Sequence, residues 1–265
     1  MTTLDQLAGT DLGIHVASYD ETAAILYALA VGAATTDLDL VYERDLRVLP
    51  TYACALGLWA VEAAGRLGAY DPTRSLHASQ RLVVHGPMPA SGSIEMAGRI
   101  AAVYDKGKAA VVEIEVTSTA FSATYNIFLP GLGGFGGERG PSTPPADPIE
   151  LVEETTFVTS PDLAALYRLT GDRHPVHIDP DVAAAGGFDR PILHGLCTLG
   201  IAARIVADQV GEHPADLTAL DVRLAAPVLP GDTIVVASGT RDGHVAFEAR
   251  VGDTVVLSGG KARFA

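Results

Sequence analysis

The feature that most constrains this chain is internal repetition: a pattern around residues 81–116 returns in coarse form around 223–251. Arg81-Leu82-Val83-Val84-His85-Gly86-Pro87-Met88-Pro89 stands ahead of Ser93-Ile94, as Arg223-Leu224-Ala225-Ala226-Pro227-Val228-Leu229-Pro230 stands ahead of Thr233-Ile234. Each copy predicts a strand, a Pro/Gly bend and a second strand. Asp105-Lys106-Gly107-Lys108 in the first copy and Arg241-Asp242-Gly243-His244 in the second then separate β-rich runs with hairpin turn chemistry. Upstream of each meander lies an apolar segment of helical length, roughly Ala53–Leu67 and Gly195–Val210. The expected fold is therefore of the α+β class, with one helix wrapped by one antiparallel sheet, made twice. Ala24–Ala33 and Ala164–Asp172 extend the parallel, allowing one residue of slip, but there the chemistry parts: only the second half continues Gly-Asp-Arg-His-Pro-Val-His.

Between the copies, Gly131-Leu132-Gly133-Gly134-Phe135-Gly136-Gly137 leads into Pro141-Ser142-Thr143-Pro144-Pro145-Ala146-Asp147-Pro148, a composition that rejects regular structure. The boundary is placed there: 1–130 as the first repeat, 131–148 as linker and 149–265 as the second repeat. The glycines satisfy Gly-x-Gly-x-x-Gly, but a Pro-rich stretch follows rather than a helix, so the dinucleotide reading fails its context.

A net charge of −14 with three lysines argues against nucleic acid or an anionic membrane as partner. The longest apolar runs, Ala53–Ala64 and Leu196–Ala207, are too short or interrupted to span a bilayer, and Met1–Ala8 lacks the pattern of a secretion signal, so the cytoplasm is the expected compartment. Cys54 and Cys197 lie in apolar helical surroundings and are expected to be buried and reduced.

Chemistry concentrates in Tyr167–Asp179. Asp172 and His177 together could hold one water molecule, the requirement of general acid/base work. A second signal, Pro191–Thr198, contains Gly195 at the start of the expected helix, where free N–H groups would form an oxyanion site. Two plainer readings stand beside these. Asp172, His174, His177 and Asp179 are all competent metal ligands, and isolated Asp and His residues commonly do no more than cap turns. Cys197 beside His194 reads as a core thiol rather than a nucleophile, and His194 as serving a backbone group, with no catalytic role.

These residues resemble the hydratase 2 enzymes, members of the MaoC-like group with a double hot-dog fold. Gly171-Asp172-Arg173-His174-Pro175-Val176-His177 meets the family pattern Gly-Asp-x-Asn-Pro-x-His except at His174. Gly187–Thr198 is similar to its second signature and Val222–Val228 to its strand motif; Ile25–Ala33, Val41–Glu43, Leu49–Thr51, Leu76–Gln80 and Gly133–Gly137 resemble the hydratase part of peroxisomal multifunctional β-oxidation enzymes. The resemblance implies reversible addition of water to a trans-2-enoyl-CoA, giving the (R)-3-hydroxyacyl-CoA, with no metal or redox cofactor. Asp172 and His177 would then hold the water, one taking its proton and the other supplying one to Cα, while the Gly195 N–H binds the thioester oxygen. It further implies substrate contacts at His77, Ala78 and Lys106, with Leu224 beside the active-site loop, and a homodimer. Arg173 and His174, in the same loop, complete the expected substrate contacts. Two other functions compete: an acyl-CoA thioesterase, since this fold hosts that chemistry, and a non-catalytic acyl-CoA-binding subunit, suggested by His174.

Overall fold

A computed structural model describes residues 3–141, 150–241 and 243–265. The repetition is carried through to topology. In the first half β1 (Asp11–Tyr19), β2 (Leu76–Val84), β3 (Gly92–Asp105), β4 (Ala109–Thr117) and β5 (Phe121–Pro130) pair antiparallel in the order β1-β3-β4-β5-β2. The second half repeats that order with β6 (Glu153–Val158), β7 (Leu217–Leu224), β8 (Thr233–Arg241), β9 (His244–Val251) and β10 (Thr254–Phe264). Gly107, at φ 85°, turns β3 into β4, and Arg241 pairs with His244 across the β8–β9 turn, whose Asp242 lies outside the described residues. The two sheets expected from the sequence are joined. β2 pairs with β7 from Ser79 opposite Arg223 to Val83 opposite Ala219, making one continuous ten-stranded sheet.

In the second half the expected helix forms as one piece. After α1 (Glu21–Ala30), α2 (Leu38–Val41), α3 (Tyr52–Leu56) and α4 (Trp59–Arg66) of the first half come α5 (Leu163–Tyr167), α6 (Pro180–Ala185) and α7 (Gly195–Val210). α7 lies against β8, β9 and β10, buries all but one position from Leu196 to Ala207, and stops at Gly211, which takes the left-handed conformation at φ 74°.

The corresponding helix of the first half, expected over Ala53–Leu67, is instead broken between α3 and α4. Tyr125, buried on β5, donates its hydroxyl to the Cys54 carbonyl at 2.8 Å. In an unbroken helix that carbonyl would receive the Leu58 N–H. The phenol occupies it, and the Leu58 N–H turns to Ala55 O at 3.3 Å. Gly57 permits the approach, because a Cβ there would overlap the Tyr125 hydroxyl. Tyr125→Phe should therefore cost about 1–3 kcal/mol, the typical penalty for stranding a buried carbonyl. A denaturant midpoint unchanged from the parent would show that other packing holds the break.

Residues 131–141 form neither helix nor strand, yet they are fastened to the first half. The Asp105 carboxylate accepts N–H groups from Gly107, Gly134 and Gly136, each at 2.8 Å, and its own N–H donates to Glu138 O at 2.7 Å. These donors hold the Asp105 carboxyl below its ordinary pKa. Gly140 must lack a side chain, since a Cβ would enter the Tyr104 ring. The Pro-rich remainder, 142–148, lies outside the described residues. Among the described residues no helix is long and apolar enough to cross a membrane.

Candidate active site

Asp172 and His177 occupy the loop between α5 and α6. α5 runs into a 3-10 turn, Arg168–Thr170, and Gly171 at φ 140° then redirects the chain in a conformation that side chains other than glycine's rarely tolerate. Asp172 Oδ1 accepts the His174 N–H at 3.1 Å, and His174 Nδ1 accepts the Val176 N–H at 3.3 Å. His174 thereby caps a second 3-10 turn, Pro175–His177, that opens on Pro175. Its Nδ1 is attached at Cγ, as the Oδ1 of asparagine is, so this histidine supplies the acceptor that the family's usual residue would supply.

The turn presents His177 to Asp172 with Nε2 and Oδ2 4.0 Å apart, both side chains almost buried. His177 Nδ1 lies 2.8 Å from Ile192 O. A carbonyl only accepts, so the proton sits on Nδ1 and the neutral ring turns a lone pair at Nε2 towards Asp172. Burial pushes the His177 pKa below 6.5, with the Asp172 charge opposing it, so the neutral form dominates at pH 7. At 4.0 Å the two groups are too far apart for a direct hydrogen bond. Both are acceptors, and the gap suits one water molecule donating a proton to each.

Gly195 is the first residue of α7, and His194 before it provides no side-chain cap; the Cys197 N–H turns back to the His194 carbonyl at 3.1 Å, while the Gly195 and Leu196 amides have no partner among the described residues at the positive end of a 16-residue helix. Leu224 closes over Gly195 so tightly that a Cβ there would overlap its methyl group. The pair, the amide and Leu224 share a cavity of about 1010 Å³ that also reaches Leu58 and Val61 of the first half. The broken helix thus forms one wall of the site.

Of the expected substrate contacts, His77, Arg173, His174 and Leu224 line this cavity, while Ala78 and Lys106 do not. His77 donates from Nε2 to Ser79 O at 3.1 Å, and burial holds its pKa down to about 4. Ala78 is the extra residue of a β-bulge between His77 and Ser79, off the regular ladder with β5. The Lys106 ammonium lies on the Arg139 carbonyl and over the Tyr104 ring, which ties it to the glycine-rich segment rather than the cavity. Arg74, not singled out in the sequence, lines the cavity.

The four metal ligands that spacing allowed are not brought together. Asp179 caps α6 through the Asp181 and Val182 N–H groups, and His174 caps its own turn. Asp172, His177 and His194 do converge, with ligand atoms within 4.8 Å. The two imidazoles are stacked with centroids 3.7 Å apart, whereas rings sharing a tetrahedral ion at its usual bond lengths keep theirs about 5 Å apart. His194 serves a backbone group as expected, the Asp172 carbonyl at 3.1 Å, and in addition it lies directly on His177. Cys54 and Cys197 are buried and unpaired, and burial raises both thiol pKa values, that of Cys54 to about 12.

Comparison with known proteins gives two matched families. Residues 17–130 match the MFE-2 hydratase 2 N-terminal domain, and residues 142–259 match the MaoC like domain. The 3-hydroxyacyl-thioester dehydratase Y of Mycobacterium tuberculosis is 38% identical over 86% of this chain and 84% of its own length. The peroxisomal multifunctional enzyme type 2 of Mus musculus is 35% identical over 94% of this chain, which spans only 37% of that enzyme. Among solved structures, a MaoC-like dehydratase from Phytophthora capsici superposes with a TM-score of 0.88 at 26% identity, covering 100% of this chain and 98% of its own.

Proposed function

The chain belongs to the MaoC-like dehydratase family, with a hydratase 2 N-terminal domain ahead of the MaoC-like one, and from that premise we propose that it hydrates trans-2-enoyl-CoA to (R)-3-hydroxyacyl-CoA, reversibly. It is a double hot-dog protein and an enzyme of the hydro-lyase class. The observation that carries the reading is the pair of acceptors, Asp172 Oδ2 and His177 Nε2, 4.0 Å apart in the cavity entered by the Gly195 end of α7.

In this reading the water oxygen adds to C3 while His177 Nε2 takes one of its protons. Asp172 holds the other proton and stabilises the imidazolium. The π electrons move onto the thioester oxygen, where the Gly195 N–H meets the developing charge; such a donor is typically worth about 3–4 kcal/mol in the transition state. The imidazolium then returns its proton to Cα, and addition is syn because oxygen and proton arrive from one face. Every group in this scheme belongs to the chain, so it calls for no cofactor.

Arg74 and Arg173 offer guanidinium groups to the CoA phosphates, and the space beside Leu58 and Val61 suits a medium or long acyl tail. A homodimer working in the cytoplasm completes the proposal. Loss of enoyl-thioester absorbance, with an (R)-specific dehydrogenase reading the product, tests the activity. Release of free CoA instead, detected with a thiol reagent, would mean a thioesterase; acyl-CoA binding without turnover at any chain length would mean a binding subunit.

Two further results are expected. Because His177 must be neutral to take a proton, kcat/KM should fall on the acid side through a pKa below 6.5. A limb well above pH 7 would point to another base. His174→Asn should keep or raise kcat, since both side chains present an acceptor to the Val176 N–H. A loss comparable to that of an Asp172 variant would contradict the capping role.

A further inference from the structure

His194 has no step in the reaction above, yet it touches both groups that hold the water. It is fully buried, its imidazole lies on that of His177 with planes 25° apart, and Tyr167 packs against it at 4.8 Å. Nε2 donates to the main-chain oxygen of Asp172 at 3.1 Å, which leaves Nδ1 as a bare lone pair with no partner among the described residues. A buried imidazole nitrogen without a partner is costly, and an apolar ring would fill the same space without that cost. The residue must therefore be explained by its ring face and its N–H together.

We propose that His194 is the positioning residue of the hydration reaction: its ring sets the plane of His177 and its N–H sets the main chain at Asp172, so that one side chain fixes the separation of the water-holding pair. The inference rests on the hydratase reading and deepens it. Burial holds the His194 pKa down to about 3, so the plate under His177 stays neutral throughout turnover. When His177 takes the water proton, its cation lies against an uncharged aromatic face, a favourable arrangement. The charged or titratable groups around the two rings are Asp172, His174, Arg168 and Tyr167; Asp172 opposes the loss of charge on both rings, His174 acts against a His177 cation and Arg168 against a His194 cation, while burial keeps Tyr167 a neutral phenol.

Two substitutions separate the two contacts. His194→Gln keeps a donor within reach of the Asp172 carbonyl and removes the ring; His194→Phe keeps the ring and removes the donor. With Gln, the acid limb of kcat/KM should move down by about half to one pH unit as the imidazolium loses its plate. With Phe, the limb should stay and kcat should fall about tenfold at unchanged KM, because Asp172 is no longer tied. NMR titration of the His177 ring proton in the free proteins reads the same shift without substrate. If the parent failed to hydrate any enoyl-CoA, the hydratase reading would fall, and a His177 shift in the Gln variant would still support the positioning role. Parent-like His177 titration in the Gln variant, or parent-like kcat in the Phe variant, overturns it; so does a loss confined to melting temperature.

Discussion

Asp172→Asn is expected to lower kcat/KM about 10²–10⁴-fold while leaving the melting temperature near that of the parent. The asymmetry follows from how the two carboxylate oxygens are used. Oδ1 accepts the His174 N–H and holds the loop, and the amide oxygen of Asn can do the same. Oδ2 faces His177 Nε2, and in the variant an NH₂ group stands there. It donates where the carboxylate accepted, so it competes with water for the histidine lone pair and leaves the imidazolium without its counter-charge. Steady-state hydration over a range of enoyl-CoA concentrations, with thermal melting alongside, decides the matter. A loss below tenfold would remove Asp172 from the proton-handling pair.

The second large effect concerns the Gly195 N–H, and Leu224 complicates the obvious variant. Any side chain at 195 overlaps the Leu224 methyl, so Gly195→Ala alone would mix a steric effect with the electrostatic one. In a Leu224→Ala background the two separate. Proline suits the first position of a helix, and His194, at φ −59° and ψ 130°, already has the backbone that a following proline requires. Gly195→Pro/Leu224→Ala should therefore keep α7 and lack only the N–H, whereas Gly195→Ala/Leu224→Ala keeps both. Between those two double variants kcat should differ about 10²–10³-fold, the cost of one oxyanion donor. Equal rates would show that the thioester oxygen is bound elsewhere.

What the sequence made legible was local. The hairpin at Asp105–Lys108, the helix start at Gly195 and the loop that bears Asp172 and His177 depend on residues close in the chain, and all are found where expected. What it hid was set from a distance. The first-half helix looked continuous because nothing within it forbids continuity; the break is made by Tyr125, 71 positions from the carbonyl it occupies. The placing of Lys106 is likewise set from afar, since the Arg139 carbonyl that takes its ammonium lies 33 positions on. That His194 serves a backbone group was legible, but nothing in its own segment shows that this group is Asp172, 22 positions earlier, or that the same loop lays His177 across it. The seam between β2 and β7 is of the same kind, since strand edges leave little trace in composition.

That seam has an implication for how such a site comes to exist. Were each half a separate molecule, two copies of a single gene product would meet edge to edge across the seam, and one codon would specify both central helices. A substitution that bent the helix beside Leu58 to make room for substrate would equally bend the helix that aims an amide from Gly195. Tandem duplication removes the bond between those two fates. With both copies in one polypeptide, Tyr125 and Gly57 can break α3 from α4 while α7 remains unbroken, so spaciousness and rigidity can evolve separately in the two halves of one sheet.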